Sequence, residues 1–170
     1  MKIGMIVAMD KELQQLRPLF PEDKVILQKS GIGKVNAAIQ TVEMIRQYKP
    51  DVIISSGCAG GNGDDIHVQD VVVSTELAYH DVYCGTAIGH SVYGQVQGLP
   101  ARFEADPYLL EKARQTGAKP GLIVTGDWFV DSKEKMREII GHFPEAKAVD
   151  MESAAILMYE AVRQRKVNSE

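Results

Sequence analysis

Two acidic residues, Glu12 and Glu152, each follow a short apolar run in the sequence. The run before Glu12 covers residues 2–7, and the run before Glu152 is Ala148-Val149. Such runs are typical of buried strands, and open α/β sheets bind ligands at the carboxyl ends of their strands. A carboxylate at this edge can activate water as a general base or accept hydrogen bonds from hydroxyl groups. An active site, if there is one, is therefore expected to have Glu152 near its centre.

Asp10 and Glu12 also fit a structural role. The residues after the first run form a brief helix that ends at Pro18, so Asp10 would cap this helix and Glu12 would lie at its positive end. The pattern alone favours the structural role and leaves the catalytic role open.

Glycines follow two further predicted strands. The run 25–27 leads to the stretch 30–34, which resembles a phosphate-binding loop only loosely because the full pattern is missing. Its two glycines let the backbone approach a neighbour or a ligand closely. The run 52–54 leads to the stretch 57–61, which has three glycines. These small residues predict either an open floor for a flat ligand or a tight turn.

Two aromatic residues follow the predicted strand 122–124. Trp128 and Phe129 could stack on a nucleobase, although aromatic residues in such positions more often belong to the core. Ser132 is predicted to cap a helix that runs to about residue 140. The polar segment 75–105, which follows the predicted strand 71–73, is longer than a connection requires and indicates a functional or interface loop.

The order of the predicted elements defines the fold class. Strands alternate with helices, which favours an α/β protein with three layers, built as one domain over residues 1–170. A helix is predicted over residues 35–48, and another over residues 107–116. The first of them is expected to bury the apolar residues that recur three and four positions apart: Val35, Ala38, Ile39, Val42 and Ile45.

Composition excludes several classes of function. The net charge is -4 and the basic residues are scattered, apart from a small cluster near Arg163, which argues against nucleic-acid binding. Cys58 and Cys84 have no metal-type spacing, and the apolar run at the N-terminus is too short for a signal peptide or a membrane span. We therefore expect a cytoplasmic protein with no membrane or nucleic-acid partner.

The sequence has none of the motifs that mark several other enzyme classes. It contains no Gly-x-Ser-x-Gly elbow, no His-Glu-x-x-His pair and no full dinucleotide fingerprint. What remains is acid–base chemistry by carboxylates on a small, neutral and partly flat ligand. Cleavage of a glycosidic bond fits this pattern, because one carboxylate can activate water while another group assists the leaving group.

Several segments together are specific enough to indicate a family. They are residues 1–12, 29–35, 50–61, 79–81, 93–95, 125–127 and 149–152. In this order, and over almost the whole chain to Ile156, the sequence resembles the 5′-methylthioadenosine/S-adenosylhomocysteine nucleosidases of the nucleoside phosphorylase superfamily. The resemblance implies a three-layer fold with a central mixed sheet, and hydrolysis that releases adenine from a purine nucleoside. Phosphorylases place a phosphate-binding loop where this chain has the acidic first loop.

The resemblance implies roles for individual residues. Glu12 is similar to the family's general base, which activates the water that attacks the ribose. Glu152 is similar to the carboxylate that holds the ribose 2′- and 3′-hydroxyls, and Met151 to the residue that packs on the sugar. Phe129 is similar to the aromatic residue that stacks on adenine, and Val130 to the residue whose backbone contacts the base edge.

The same resemblance completes the expected site and assembly. The small-residue floor is expected at Cys58, Ala59 and Gly60, and Met9 and Ile32 belong to the expected substrate-binding set. Neither a cofactor nor a metal is expected. The segment 79–100 is similar to the part that reaches a twofold partner in this family, so a homodimer is expected.

Two departures from the family pattern affect the expected activity. The family has an additional strand pair between Phe20 and Val25, which is almost absent here. Its general acid is an aspartate in an Arg-x-x-Ser-Asp segment after the helix that follows Glu152, whereas this sequence contains no Ser-Asp dipeptide. A polypeptide of these residues is therefore expected to be weakly active or inactive and poorly stable. The alternatives are a nucleoside-binding protein without turnover, a phosphorylase, and a related hydrolase that acts on a futalosine-type substrate.

Overall fold

The computed structural model describes residues 1–21, 23–85 and 92–158. The strands in these ranges are β1 (Ile3–Val7), β2 (Val25–Lys29), β3 (Val52–Ser55), β4 (Gly60–Gly61), β5 (Val72–Tyr79), β6 (Phe103–Glu104), β7 (Lys119–Thr125) and β8 (Ala146–Asp150). The helices are α1 (Asp10–Leu16), α2 (Lys34–Tyr48), α3 (Pro107–Arg114), α4 (Lys133–His142) and α5 (residues 153–158). Across these described ranges, no helix is both long and apolar enough to cross a membrane.

Hydrogen bonds arrange the strands in two sheets. The first has the order β2-β1-β3 and is parallel, and the second has the order β4-β8-β7-β5-β6. In the second sheet β5, β7 and β8 are parallel, whereas the short strands β4 and β6 are antiparallel to their neighbours. The alternation of strands and helices confirms the predicted α/β class, and the parallel strands of each sheet end at a common edge.

The buried face of α2 differs from the prediction. Val35 and Ile39 are 68% and 59% exposed, and the buried residues are Ala37, Thr41 and Met44. The buried residues also recur three and four positions apart, so the period is right. Ala38, Val42 and Ile45 are half-buried as part of the predicted face, but the fully buried face is shifted away from Val35 and Ile39. The reason is close packing: α2 lies so near β1 that a side chain at Gly4 would clash with Met44. Small residues suit such an approach, and the sequence period alone does not show this.

The fifth strand is longer than predicted. The sequence indicated a strand over 71–73 followed by a loop, but β5 continues to Tyr79 because it pairs with β7 along its length. Leu77, Ala78 and Tyr79 are buried in this strand. The predicted loop therefore begins after Tyr79, and its residues 86–91 lie outside the described part of the chain. Ser132 caps α4 as predicted, accepting a hydrogen bond from Lys135 N at 3.3 Å.

Gln69 has a left-handed backbone conformation, with φ of 77°, in the loop before β5. This conformation costs a non-glycine residue roughly 1–2 kcal/mol, and a glycine would relieve that cost. The greater freedom of glycine in the unfolded chain would offset about 0.4–1 kcal/mol of the relief. Gln69→Gly is therefore expected to raise the free energy of unfolding by about 0.5–1 kcal/mol in urea denaturation. Gln47→Gly in α2 is the matched control and should lower it. A decrease for Gln69→Gly would contradict the assigned strain.

Candidate active site

Contacts at the carboxyl ends of the strands join the two sheets. The backbone N–H of Gly33, which follows β2, donates a 2.8 Å hydrogen bond to Oε1 of Glu152, which follows β8. The hydroxyl oxygens of Ser55 and Ser153 are 3.0 Å apart and link the end of β3 to the start of α5. The residues that follow both sets of parallel strands therefore meet at one edge, as the sequence predicts.

Glu12 is a buried carboxylate, 8% exposed, in the first turn of α1. Its Oε2 accepts hydrogen bonds of 3.0 Å from the backbone N–H groups of Ala8 and Met9, and its Oε1 accepts one of 2.9 Å from Cys58. A carboxylate has roughly four lone-pair positions, so three backbone donors leave room for a water molecule. Asp10 does not cap the helix; it pairs with Lys29 at 2.7 Å.

The glycine-containing stretch after β3 packs on Glu12. A Cβ atom at Gly57 would lie 2.9 Å from Oε1 of Glu12, which is closer than side-chain atoms normally approach. Cys58 and Ala59 are exposed beside it, whereas Gly60 pairs with β8 as part of β4. The stretch therefore presents exposed backbone and small side chains, and its first glycine is required by the carboxylate; a floor for a flat ligand stays a prediction.

Glu152 is half-buried, and its environment disfavours the charged form. Burial raises the pKa of Glu152 above its usual value, and the nearby carboxylates of Asp150 and Glu12 add to this effect, although the hydrogen bond from Gly33 opposes it. Glu12 and Glu152 both follow parallel strands at this edge of the sheets. Met151, which lies between Asp150 and Glu152 in the sequence, is also half-buried.

Asp150 has a structural role beneath the site. Its Oδ1 accepts a 2.5 Å hydrogen bond from the hydroxyl of Thr125, which in turn accepts one of 3.0 Å from Ala154 N. Its Oδ2 accepts one of 3.2 Å from Ser153 N. Burial raises the pKa of Asp150, and these donors oppose that shift. The network connects the ends of β7 and β8 to the first turn of α5, next to Glu152.

The aromatic pair after β7 is not in the core, so the prediction favoured by pattern is wrong. Phe129 is 73% exposed and Trp128 is 37% exposed, with the Trp128 ring packed edge-on against His80 at a centroid distance of 5.6 Å. Val130 packs against the apolar cluster beneath β7 and β8. Met9 and Ile32 are exposed at the ends of β1 and β2. Phe129 is thus accessible for stacking on a planar ligand.

Sequence reasoning missed a charged group beside Gly33 that consists of Lys34, Asp81 and Asp127. The available signal was positional. Asp81, Asp127 and Glu152 each stand two residues after the last residue of β5, β7 and β8, which are neighbouring parallel strands. In the described part of the chain, no group of three or more His, Cys, Asp or Glu side chains could hold a metal ion.

This edge, with its buried carboxylates and exposed aromatic residue, is typical of a small-molecule enzyme site in an α/β protein. The family model "Phosphorylase superfamily" matches residues 18–159. The 5′-methylthioadenosine/S-adenosylhomocysteine nucleosidase of Exiguobacterium sp. is 42% identical over 181 residues, covering 92% of this chain and 77% of the relative. That of Geobacillus kaustophilus is 46% identical over 140 residues, covering 78% of this chain but 59% of the relative.

Solved structures agree with this assignment. The nucleosidase of Neisseria meningitidis, in complex with methylthio-immucillin-A, is 40% identical with a TM-score of 0.86, covering 97% of this chain and 80% of that chain. The Colwellia psychrerythraea nucleosidase, in complex with adenine, is 34% identical with a TM-score of 0.87, covering 98% of this chain and 78% of that chain. The chain therefore belongs to the phosphorylase superfamily and, within it, to the family of 5′-methylthioadenosine/S-adenosylhomocysteine nucleosidases.

The Asp150 network should contribute measurably to stability. Thr125→Val keeps the side-chain shape but removes the hydroxyl, which leaves the buried Asp150 short of a donor and Ala154 N without its acceptor. A loss of about 1–3 kcal/mol in the free energy of unfolding is expected, measured by urea denaturation. Thr41→Val is the control because Thr41 is equally buried but donates only to a helix carbonyl, that of Ala37. Equal losses for both variants would argue against a special role for the network.

Proposed function

We propose that the protein hydrolyses the N-glycosidic bond of 5′-methylthioadenosine or S-adenosylhomocysteine and releases adenine. The observation that carries this proposal is that one edge of the sheets holds two carboxylates anchored by backbone N–H groups, the buried Glu12 and the half-buried Glu152. The exposed ring of Phe129 adds a surface for a flat base. Family membership supports the same substrates, because the relatives are named as nucleosidases for them.

Glu12 would act as the general base. The oxygen of a water molecule attacks C1′ of the ribose while the bond from C1′ to N9 of adenine breaks, and the electron pair of that bond leaves with the base. Glu12 takes one proton from the water, and adenine takes a proton as it departs. The ribose becomes cationic in the transition state, so the negative charges of Glu12 and Glu152 stabilise it.

The other predicted residues would hold the substrate. Glu152 would accept hydrogen bonds from the ribose 2′- and 3′-hydroxyls, with Met151 packed against the sugar. Phe129 would stack on adenine, and the backbone of Val130 would contact the base edge. The remaining members of the proposed binding set lie at the ends of β1, β2 and β3: Met9, Ile32, Cys58, Ala59 and Gly60.

We propose further that a polypeptide of these 170 residues hydrolyses its substrate slowly. The family's acidic Ser-Asp segment does not occur in this sequence, and a positioned general acid contributes roughly 100- to 10,000-fold in rate. In the described part of the chain, β3 pairs only with β1, and its residues Val52, Ile53 and Ile54 are only partly buried. Exposed apolar area of this kind is consistent with the predicted low stability.

Glu12→Gln tests the proposed mechanism. The amide cannot take a proton from water, so adenine release from methylthioadenosine should fall by about 100-fold or more, measured by chromatography at pH 7. Glu43→Gln, an exposed substitution on α2, should leave the rate unchanged. Unchanged release by Glu12→Gln would remove Glu12 from the mechanism.

Three outcomes for the unmodified chain separate the candidate functions. Adenine release without phosphate supports hydrolysis, whereas release that requires phosphate supports a phosphorylase. Calorimetric binding of methylthioadenosine without any release supports a nucleoside-binding protein. Trp128 lies exposed beside Phe129, so a futalosine-type nucleoside belongs in the same assay as a second substrate.

Binding of the nucleoside should depend on pH through Glu152. Because burial raises the pKa of this carboxyl group, it takes up a proton at a higher pH than an ordinary glutamate and then binds the ribose hydroxyls less well. The affinity for methylthioadenosine should therefore decrease as the pH falls, beginning at a pH above the usual pKa of glutamate. The stability of the fold has the opposite dependence: the folded chain holds this proton more tightly than the unfolded chain, so the contribution of Glu152 to the free energy of unfolding decreases as the pH rises. Calorimetric titrations from pH 5 to 8 measure the binding effect, and Glu152→Gln should abolish it.

We also propose that the protein is a homodimer. The exposed apolar residues Val35 and Ile39 stand one turn apart on α2 and form a surface that a second copy would cover. Ile39→Lys places a charge on this surface in both copies. The dissociation constant of the dimer, measured by sedimentation equilibrium, should therefore increase by more than about 10-fold. Leu19→Lys, also at a largely exposed position, should not change the assembly. A monomeric parent protein would contradict the proposal.

A further inference from the structure

Lys34, Asp81 and Asp127 form a charged cluster that the proposed mechanism does not use. Nζ of Lys34 lies 2.7 Å from both carboxylate oxygens of Asp81 and 3.8 Å from Oδ2 of Asp127. The side chain of Asp81 is only 9% exposed and that of Lys34 is 22% exposed. The ammonium group also lies 5.3 Å from the centre of the Tyr79 ring. The pair of Lys34 and Asp81 is therefore largely shielded from water, whereas the side chain of Asp127 is 47% exposed.

Backbone hydrogen bonds tie the same three residues together. Lys34 N donates to Oδ1 of Asp127 at 2.8 Å, and Asp127 N donates to Oδ2 of Asp81 at 2.8 Å. The first residue of α2 and the loops after β5 and β7 are thus joined through both side chains and main chain. Gly126 adds to the constraint because a side chain there would clash with His80 and Asp81. None of the three segments can rotate without breaking several of these contacts.

The cluster borders the residue that holds Glu152. Gly33, which donates to Oε1 of Glu152, immediately precedes Lys34, and a Cβ at Gly33 would lie 2.9 Å from Oδ1 of Asp127. The φ angle of Gly33 is 96°, a conformation that favours glycine. The contacts of Lys34 with Asp127 and Asp81 therefore constrain the peptide group next to the Gly33 N–H bond.

Stability alone is a weak explanation for the cluster. Shielded ion pairs lose much of their attraction to the cost of removing charges from water, and replacing them with apolar residues is often neutral or stabilising. What an ionic cluster does provide is a fixed geometry between segments that are distant in sequence. Here the fixed geometry includes the N–H group that orients the proposed ribose-binding carboxylate.

We propose that Lys34, Asp81 and Asp127 are positioning residues for the ribose site: they aim Gly33 N–H at Oε1 of Glu152 and so hold that carboxylate ready for the sugar hydroxyls. The inference rests on the proposed role of Glu152. One acceptor position of the carboxylate is filled by Gly33, and the remaining positions can receive the 2′- and 3′-hydroxyls. A carboxylate fixed in advance binds the diol without an ordering cost, which increases affinity for the nucleoside.

Lys34→Met is the test variant, because it keeps the length of the side chain and removes the charge. Lys29→Met is the matched control: Lys29 also pairs with an aspartate at 2.7 Å at this sheet edge, but that pair is exposed. The affinity of Lys34→Met for methylthioadenosine should fall at least 10-fold in calorimetry, whereas its affinity for adenine, which has no ribose, should change less than twofold. Lys34→Arg should recover most of the nucleoside affinity, and Lys29→Met should behave like the parent protein.

Each result decides the proposal. Equal losses for adenine and methylthioadenosine would show that Lys34 supports the fold as a whole, and no loss for either would show that the cluster positions nothing; both overturn it. If Lys34→Met fails to fold, Asp81→Asn should give the same selective loss at smaller amplitude.

A second measurement keeps this inference separate from the proposed function. The amide resonance of Gly33 should shift in Glu152→Gln, because its hydrogen-bond acceptor changes, and should shift in the same direction in Lys34→Met but not in Lys29→Met. An unmoved Gly33 resonance in Lys34→Met would refute the positioning role even for an active enzyme. If the parent protein bound neither ligand, the proposed function would fail while this measurement still tested the contact.

Discussion

The site depends on one physical constraint, which is that buried carboxylates must be matched by hydrogen-bond donors. Backbone N–H groups supply most of these donors: Ala8, Met9 and Cys58 for Glu12, Gly33 for Glu152, and Ser153 for Asp150. A backbone donor can reach a buried carboxylate only where the main chain comes very close. Gly57 and Gly33 are glycines because each lies against a carboxylate oxygen, one of Glu12 and one of Asp127.

This arrangement produces an excess of negative charge at one edge of the protein. Burial raises the pKa of Glu152, and the charges of Asp150 and Glu12 add to the shift, so the environment disfavours the charged form of this carboxyl group. A ligand that becomes cationic in the transition state interacts favourably with these carboxylates, whereas a neutral ground-state ligand does so less. Differential stabilisation of this kind lowers a barrier. The site therefore suits cleavage of a glycosidic bond better than capture of an anionic ligand.

The strands and acids of this edge could be predicted from the sequence because they depend on local pattern. Apolar runs predicted most strands and placed Glu12 and Glu152 at this edge, whereas the proposed role of Glu12 rests on the family resemblance, because the pattern alone favoured a structural role. Which face of α2 is buried depended on how closely the helix approaches Gly4, and the length of β5 depended on its partner β7. The contact of Gly33 with Glu152 joins residues 119 positions apart. Long-range geometry of this kind leaves no period or motif in one sequence.

Whether a polypeptide of these residues would be weakly active or inactive depends on how much of the rate enhancement a general acid contributes. Enzymes accelerate reactions by roughly a millionfold or more, and loss of a general acid removes about 100- to 10,000-fold of that. In the proposed mechanism the remaining contributions would come from Glu12, from Glu152 near the ribose and from stacking of the base on Phe129. The departing adenine carries the electron pair of the broken bond and must take up a proton. Water can supply this proton, but more slowly than a positioned general acid would. These magnitudes are the reason we propose slow hydrolysis for such a polypeptide and expect the loss to fall on the rate more than on substrate binding.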